Sequence, residues 1–240
     1  MKAIILAAGR GSRMKTMTDA KPKCLVELHG EPLLDHQLRS LRAAGIEEIA
    51  IVTGYRAEML QGRADAEFHN PRWADTNMVS SLASASEWLE EEPCIISYSD
   101  IFYDPSAVNS LMESDADVAI TFDPDWERLW RDRFGDPLLD AETFRKADDG
   151  TLLEIGKRPD RTEDVEGQYM GLLRFSPAGW SEIQAMRQSL TNETCDKLDM
   201  TSALQAVLER GNLRIQAVPY YGSWGEIDSA DDLAVYVEGI

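Results

Sequence analysis

The amino-acid sequence predicts an α/β fold in which a mostly parallel sheet is covered by helices on both faces. Three observations predict it. Short apolar runs alternate with amphipathic stretches through the first half of the chain, the pattern of parallel βαβ units. The segments AAGRGSR and YSD each follow an apolar run, which puts them at the carboxyl ends of strands, where open α/β sheets bind ligands. Finally, 240 residues, 43% hydrophobic and 28% charged, are enough to bury one substantial core without disulfides or a structural metal.

Lys2 to Ala7 reads as the first strand and runs into the loop AAGRGSRM. Pro32 opens the amphipathic PLLDHQLRSLRAAGI, a helix with Gly45 as its stop. IEEIAIVTG supplies a second strand, YRAEMLQG a helical turn or two, and ADAEFHN a third short strand. A helical SSLASASEWLEEE follows, then the fourth apolar strand CIISYSD, which ends on an aspartate. From Asp115 to Arg174, shorter candidate strands (DVAITF, LLEIGK, YMGLLRF) mix with the loop-like FGDPLLDAETF and the charge-rich KRPDRTEDVEG, an elaboration of the sheet. WSEIQAMRQSL and MTSALQAVLERG have helical spacing, LRIQAVPY reads as a strand, and SADDLAVYVEG as a terminal helix that begins at a serine cap. No repeat, low-complexity tract or linker divides the chain, so residues 1–240 are expected to form a single domain.

Lys and Arg number 24 against 43 Asp and Glu, a formal charge of −19, which repels a nucleic-acid backbone or an anionic membrane surface. A small anionic substrate stays compatible, because a few basic residues and backbone amides can overcome the net field locally. The apolar run at the N-terminus leads into glycine and arginine, unlike a secretory leader, and no later stretch is long enough to span a bilayer. Cys24, Cys94 and Cys195 are odd in number, far apart and never in a Cys-x-x-Cys arrangement; they fit a reducing cytoplasm better than a disulfide framework or a zinc site.

In LAAGRGSRM, Gly9 and Gly11 stand where a strand must turn sharply and let its backbone approach a ligand. Amides there can cradle phosphate oxygens, and Arg13 can add a charged fork. The same turn is compatible with a purely structural bend, and no Gly-Lys-Ser/Thr makes it a Walker A loop. Lys21 and Lys23 flank Pro22 in KPKCLVEL; they read either as triphosphate contacts or as a solvated basic loop. Dehydrogenase and hydrolase chemistry find no support. Met14 stands where a dinucleotide fingerprint needs its third glycine, no Gly-x-Ser-x-Gly elbow occurs, and His29, His36 and His69 are scattered singles.

LAAGRGSRM followed by KPKCLVELHGEPLLDHQL resembles the signature of the nucleotidyltransferase family that includes sugar-1-phosphate pyrophosphorylases and phosphocholine cytidylyltransferases. NPRWADTNMVSSL, YSDIFY, LLEIGKRP, GQYMGLLRF and GSWGEIDS continue the resemblance in the family's order over nearly the whole chain. It implies the nucleotidyltransferase fold, a Rossmann-like mixed, mostly parallel sheet flanked by helices, with the acceptor-side elaboration at roughly 115–175. It further implies nucleotide contacts from Leu6, Ala7, Ala8, Gly9, Gly11 and Ser12, and reading of the base by Asn70, Thr76 and Asn77. Arg13 and Lys23 would neutralise charge during catalysis, and Lys157 would contact the acceptor phosphate. Asp100 and Asp228 match the positions that hold Mg2+ in the family, a hard cation suited to two carboxylates, phosphate oxygens and water. The implied reaction is an in-line attack by an acceptor oxygen on the α-phosphorus, with pyrophosphate leaving and no protein nucleophile.

TNMVSSL, DPLLDAETF and GSWGEIDS are closest to the phosphocholine and aminoalkylphosphonate cytidylyltransferase branch, which implies CTP, with the enzyme a monomer or homodimer. Trp126, Glu142, Tyr169, Gly171 and Glu226 are the expected acceptor contacts, with Trp130 beside them, since aromatic faces and carboxylates both attract ammonium. Trp126, Leu129 and Trp130 also have helical spacing, which reads equally as a tryptophan pair packed into the core. CDKLDMTSAL lacks the aromatic expected of a choline site, so 2-aminoethylphosphonate, phosphoethanolamine or a phosphorylated amino acid amide fits at least as well. The alternatives are a sugar-1-phosphate transferase using UTP, dTTP or GTP, and a non-catalytic nucleotide-binding domain.

Overall fold

A computed structural model of the chain describes residues 1–238, the side chains of Lys15, Val237 and Glu238 aside. Thirteen strands occur among the described residues: β1 (Lys2–Ala7), β2 (Glu27–Leu28), β3 (Glu31–Pro32), β4 (Ile49–Thr53), β5 (Ala66–His69), β6 (Cys94–Tyr98), β7 (Ile101–Tyr103), β8 (Val118–Asp123), β9 (Phe144–Lys146), β10 (Leu152–Ile155), β11 (Gln168–Phe175), β12 (Ile215–Pro219) and β13 (Trp224–Glu226). The helices are α1 (Leu33–Ala43), α2 (Met78–Leu82), α3 (Ser86–Glu91), α4 (Pro105–Met112), α5 (Trp126–Phe134), α6 (Pro177–Gln188), α7 (Asn192–Lys197), α8 (Met200–Arg210) and α9 (Ala230–Glu238).

Seven strands form one sheet in the order β12-β8-β11-β6-β1-β4-β5. Neighbours pair in parallel except around β11, which runs antiparallel to both β6 and β8. Helices cover both faces, so every residue of β1, β4 and β11 is buried and these strands are mostly apolar, with Lys2, Thr53, Gln168 and Arg174 their buried polar members. The edge strand β5 alternates between half-buried and exposed instead. From β1 the chain winds through β4 and β5 to one side and returns to place β6 on the other. That reversal opens a crevice at the carboxyl ends of β1 and β6, where AAGRGSR and YSD lie.

The middle third divides in two. β8 and β11 are strands of the main sheet, whereas the added structure lies between them: α5, the antiparallel pair of β9 and β10, and their loops. The expected single helix over SSLASASEWLEEE is instead α2, a tight turn at Ala83–Ala85 and α3. Ser86 Oγ donates to the Ala83 carbonyl at 2.9 Å, a local bond that competes with helical pairing. The terminal helix does begin after a serine: the Asp232 amide donates to Ser229 Oγ and the Ser229 amide to Asp232 Oδ2, a reciprocal cap. Gly239, the last residue expected in that helix, lies outside the described residues.

Two elements position the crevice. Gln37 of α1 donates to the carbonyls of Tyr98 and Ile101, and Ser40 to that of Tyr103, which pins the turn between β6 and β7 against a buried helix face. β13 then pairs antiparallel with β7, and the Ile227 amide donates to the Asp100 carbonyl at 2.9 Å. Asp100 and Asp228, far apart in sequence, are thereby locked side by side. Among the described residues no helix is long and apolar enough to cross a membrane.

Candidate active site

The loop after β1 turns through Gly11 at φ 71°, a left-handed conformation that glycine adopts without strain. A Cβ there would come within 2.8 Å of Lys23 Cβ and Cδ, so the loop backbone lies directly on the lysine stem. Together they wall a cavity of about 290 Å³. Leu6, Ala8, Gly9, Gly11, Ser12, Arg13 and Lys23 form one side, Trp73, Thr76, Asn77, Met78 and Ser81 the other, and Tyr98, Ser99 and Asp100 close the end of β6.

A second cavity of about 260 Å³ adjoins the first and shares Arg13, Met78 and Tyr98 with it. Its walls carry five carboxylates, those of Asp140, Glu142, Asp199, Glu226 and Asp228, with Tyr169, Gly171, Gln168, Thr201 and Trp130 between them. Burial pushes the Glu142 carboxyl up to about 7, with Asp199 and Asp140 adding to the shift. Burial also raises Asp140.

Charge concentrates where the cavities meet. Lys23 Nζ lies 2.6 Å from Asp100 Oδ2 and pairs with Asp228 Oδ1, which Arg13 Nη2 approaches to 2.9 Å. Arg133, its side chain fully buried, reaches in from the end of α5 to Glu226 (3.0 Å) and Asp232 (2.9 Å), with Asp228 at 3.8 Å. Burial opposes the charge on Asp228, but Lys23, Arg13 and Arg133 prevail and hold its carboxyl below the usual range. Burial likewise opposes the Lys23 ammonium, and Asp100, Asp228 and Glu226 more than offset it, raising its pKa. Glu226, by contrast, is pushed up to about 8 by burial and by the charges of Asp228 and Asp100.

Asp100, Glu226 and Asp228 each offer a carboxylate oxygen within 4.8 Å of the others. Asp100 Oδ1 is buried without a partner, an oxygen left for a ligand. This donor set, all hard oxygens, fits a divalent cation of the magnesium type.

The structure thus brings Leu6, Ala8, Gly9, Gly11, Ser12, Arg13, Lys23, Thr76, Asn77 and Asp100 around the first cavity, and Glu142, Tyr169, Gly171, Glu226 and Asp228 around the second. Ala7 is buried at the end of β1, behind the loop. Three expected contacts lie elsewhere. Asn70 is buried with its amide spent on its own loop, donating to Thr76 Oγ1 and Ser81 Oγ and accepting from the Arg72 amide, so it shapes the base side without lining it. Trp126 is a core residue whose Nε1 donates to the Val165 carbonyl; the packing reading of its helical spacing holds. Lys157 projects from the loop after β10 with its side chain 55% exposed, 3.8 Å from Glu154 and outside both cavities. Glu226, expected on the acceptor, stands in the carboxylate cluster as well.

Sequence reasoning missed Tyr98, the wall shared by both cavities, and also Asp140, Asp199 and Arg133. Asp199 carried a signal, as a helix N-cap: its side chain accepts from the Ser202 amide at 2.7 Å. Arg133 carried none, since its hydrogen-bond partners are 93 and 99 residues away.

Comparison with known proteins bears on this arrangement. The model of the MobA-like NTP transferase domain matches residues 3–189. The chain is 39% identical to a CTP:phosphoglutamine cytidylyltransferase of Campylobacter jejuni over 99% of its own length and 100% of the relative's. It is 35% identical to a 2-aminoethylphosphonate cytidylyltransferase of Lancefieldella rimae, over 99% and 92% of the two chains. Among solved structures, the inositol-1-phosphate CTP transferase from T. maritima matches with a TM-score of 0.76 at 20% identity, over 99% of this chain and 95% of that one, a likeness of fold alone.

Proposed function

The chain belongs to the family of MobA-like NTP transferase domains, and from that premise we propose that it is a Mg2+-dependent cytidylyltransferase that transfers CMP from CTP to a small amine-bearing phosphate or phosphonate, releasing pyrophosphate. One observation carries this reading. Two adjoining cavities, one walled by a glycine loop with Arg13 and Lys23, the other by five carboxylates, meet at Asp100 and Asp228.

The backbone of Gly9 to Ser12 would cradle the triphosphate, while Arg13 and Lys23 neutralise its charge. Asp100 and Asp228, with Glu226 beside them, would hold Mg2+, which when bound draws charge from phosphate oxygens and orients them. An acceptor oxygen forms a bond to the α-phosphorus as the bond to the pyrophosphate oxygen breaks, and both electrons of that bond leave with pyrophosphate. The attacking oxygen is already anionic near neutral pH, so no side chain need act as nucleophile or base; positioning and charge neutralisation are the chain's work.

The acceptor's cationic end is read from the second cavity. A primary ammonium has three donors and is satisfied by carboxylates, whereas a quaternary one needs aromatic faces. Five acids line that cavity against three aromatic residues, Tyr98, Trp130 and Tyr169, with Trp126 outside it, and the surplus of carboxylates favours aminoalkylphosphonates, phosphoethanolamine or a phosphorylated amino acid amide over phosphocholine. The relatives named above support this preference by their own acceptors. The three cysteines, none in a disulfide, support a reducing cytoplasm.

Incubation with CTP and a panel of these acceptors, followed by phosphorus NMR, is expected to show a diester product with at least one amine-bearing acceptor. Silence toward all of them refutes the acceptor class, and turnover of sugar 1-phosphates with UTP, dTTP or GTP selects the sugar-transferase reading instead. Asp100→Asn and Lys23→Ala are each expected to abolish pyrophosphate release with circular dichroism unchanged.

A further inference from the structure

Lys23 holds the oxygens that a divalent ion would need. Its ammonium is 2.6 Å from Asp100 Oδ2 and pairs with Asp228 Oδ1, between two of the three carboxylates that converge there. The lysine side chain is only 8% exposed, and its stem lies under Gly11, so the stem is held at the wall of the first cavity while the ammonium stands between Asp100 and Asp228. Arg13 adds a second positive charge to Asp228, and Arg133 a third to Glu226. Three cationic side chains thus already pair with four carboxylates, those of Asp100, Glu226, Asp228 and Asp232, and a further cation between Asp100 and Asp228 would have to displace the ammonium that stands there.

A triphosphate in the first cavity reverses that balance. Its oxygens accept from an ammonium as carboxylates do, and they bring the negative charge and hard oxygen donors that a divalent ion prefers. We propose that Lys23 occupies the cation position between Asp100 and Asp228 until nucleotide arrives, so that the divalent ion is taken up together with the triphosphate and not ahead of it. The identity of the triphosphate rests on the nucleotidyl-transfer reading; the competition between Lys23 and a metal ion does not.

The test counts free Mn2+ by electron paramagnetic resonance in solutions of the full chain without nucleotide. Lys23→Met, which keeps an unbranched side chain one atom shorter and removes the charge, is expected to bind Mn2+ about tenfold or more tightly than the wild type. Adding Asp100→Asn to Lys23→Met is expected to remove the gain, which locates the ion. Equal Mn2+ affinity in the wild type and Lys23→Met overturns the proposal.

If Lys23→Met fails to fold by circular dichroism, the wild type decides alone. Its Mn2+ affinity, corrected for Mn2+ held by nucleotide in a protein-free control, is expected to rise about tenfold or more with a non-reactive CTP analogue, and the analogue to bind tighter with Mn2+ by the same factor. Mn2+ affinity unchanged by the analogue overturns the proposal. The two readings fail separately: tight Mn2+ binding without nucleotide in an enzyme that releases pyrophosphate from CTP removes the Lys23 proposal alone. The expected Mn2+ pattern with no turnover of CTP removes the transfer reading alone.

Discussion

Gly11 shapes the phosphate loop by what it lacks. At φ 71°, with Lys23 Cβ and Cδ only 2.8 Å from where a methyl would stand, Gly11→Ala strains the backbone and pushes the lysine stem aside. We expect a stability loss of about 1–3 kcal/mol and a fall in pyrophosphate release of about tenfold or more. A variant that is destabilised yet fully active would show that the lysine's place is not critical. Glu142 invites a different test. Burial raises its carboxyl to about 7, so between the usual glutamate range and that value the folded chain holds a proton that the unfolded chain has lost. Stability from this group therefore falls as pH rises through that window. Glu142→Gln removes the titration, and urea denaturation should show the variant gaining on the wild type by about 1–3 kcal/mol between about pH 5 and about pH 8. A difference that stays constant across that range would show that Glu142 ionises as an ordinary glutamate.

Helix α5 serves the site mostly from behind, since Trp130 is its one described residue on the wall of the second cavity. Trp126 and Trp130 face the core with ring centroids 6.2 Å apart, and Arg133, one turn on, carries that anchorage to Glu226 and Asp232 beside the carboxylate cluster. Trp126→Leu is expected to lower stability by about 2–4 kcal/mol while leaving the acceptor KM within about twofold of the wild type. A raised KM with stability intact would return Trp126 to the acceptor. The spacing of Trp126, Leu129 and Trp130 made this helix legible in the sequence, as apolar runs did for β1, β4 and β6. β7 and β13 were not legible, because three-residue strands have no period to read and their pairing joins Tyr103 to Trp224 across the chain. The same limit governs the site. The loop and Asp100 could be read from local pattern, whereas Tyr98 lines both cavities by virtue of strand order, and Arg133 meets its partners only after folding.

The distribution of charge over the whole chain sets the site apart from its surroundings. Against a formal charge of −19, three basic side chains, those of Arg13, Lys23 and Arg133, converge at the crevice, with side-chain exposures of 66%, 8% and 0%. Elsewhere acids outnumber bases, and pairs such as Lys197–Glu193, exposed on both sides, contribute little and weaken with salt. Two effects of salt therefore compete: loss of such pairs, and screening of the repulsion among the excess acids. With 43 acids against 24 bases the repulsion is the larger. The buried Lys23–Asp100–Asp228 cluster is screened far less than either. The melting temperature is expected to rise by a few degrees between about 10 mM and about 150 mM NaCl, as the Debye length shortens from about 30 Å to about 8 Å. EDTA in the buffer keeps divalent ions from adding stability by mass action. A melting temperature that falls over that range would mean that the exposed ion pairs outweigh the net charge, and the acidic surface would then be held by pairing and not merely tolerated.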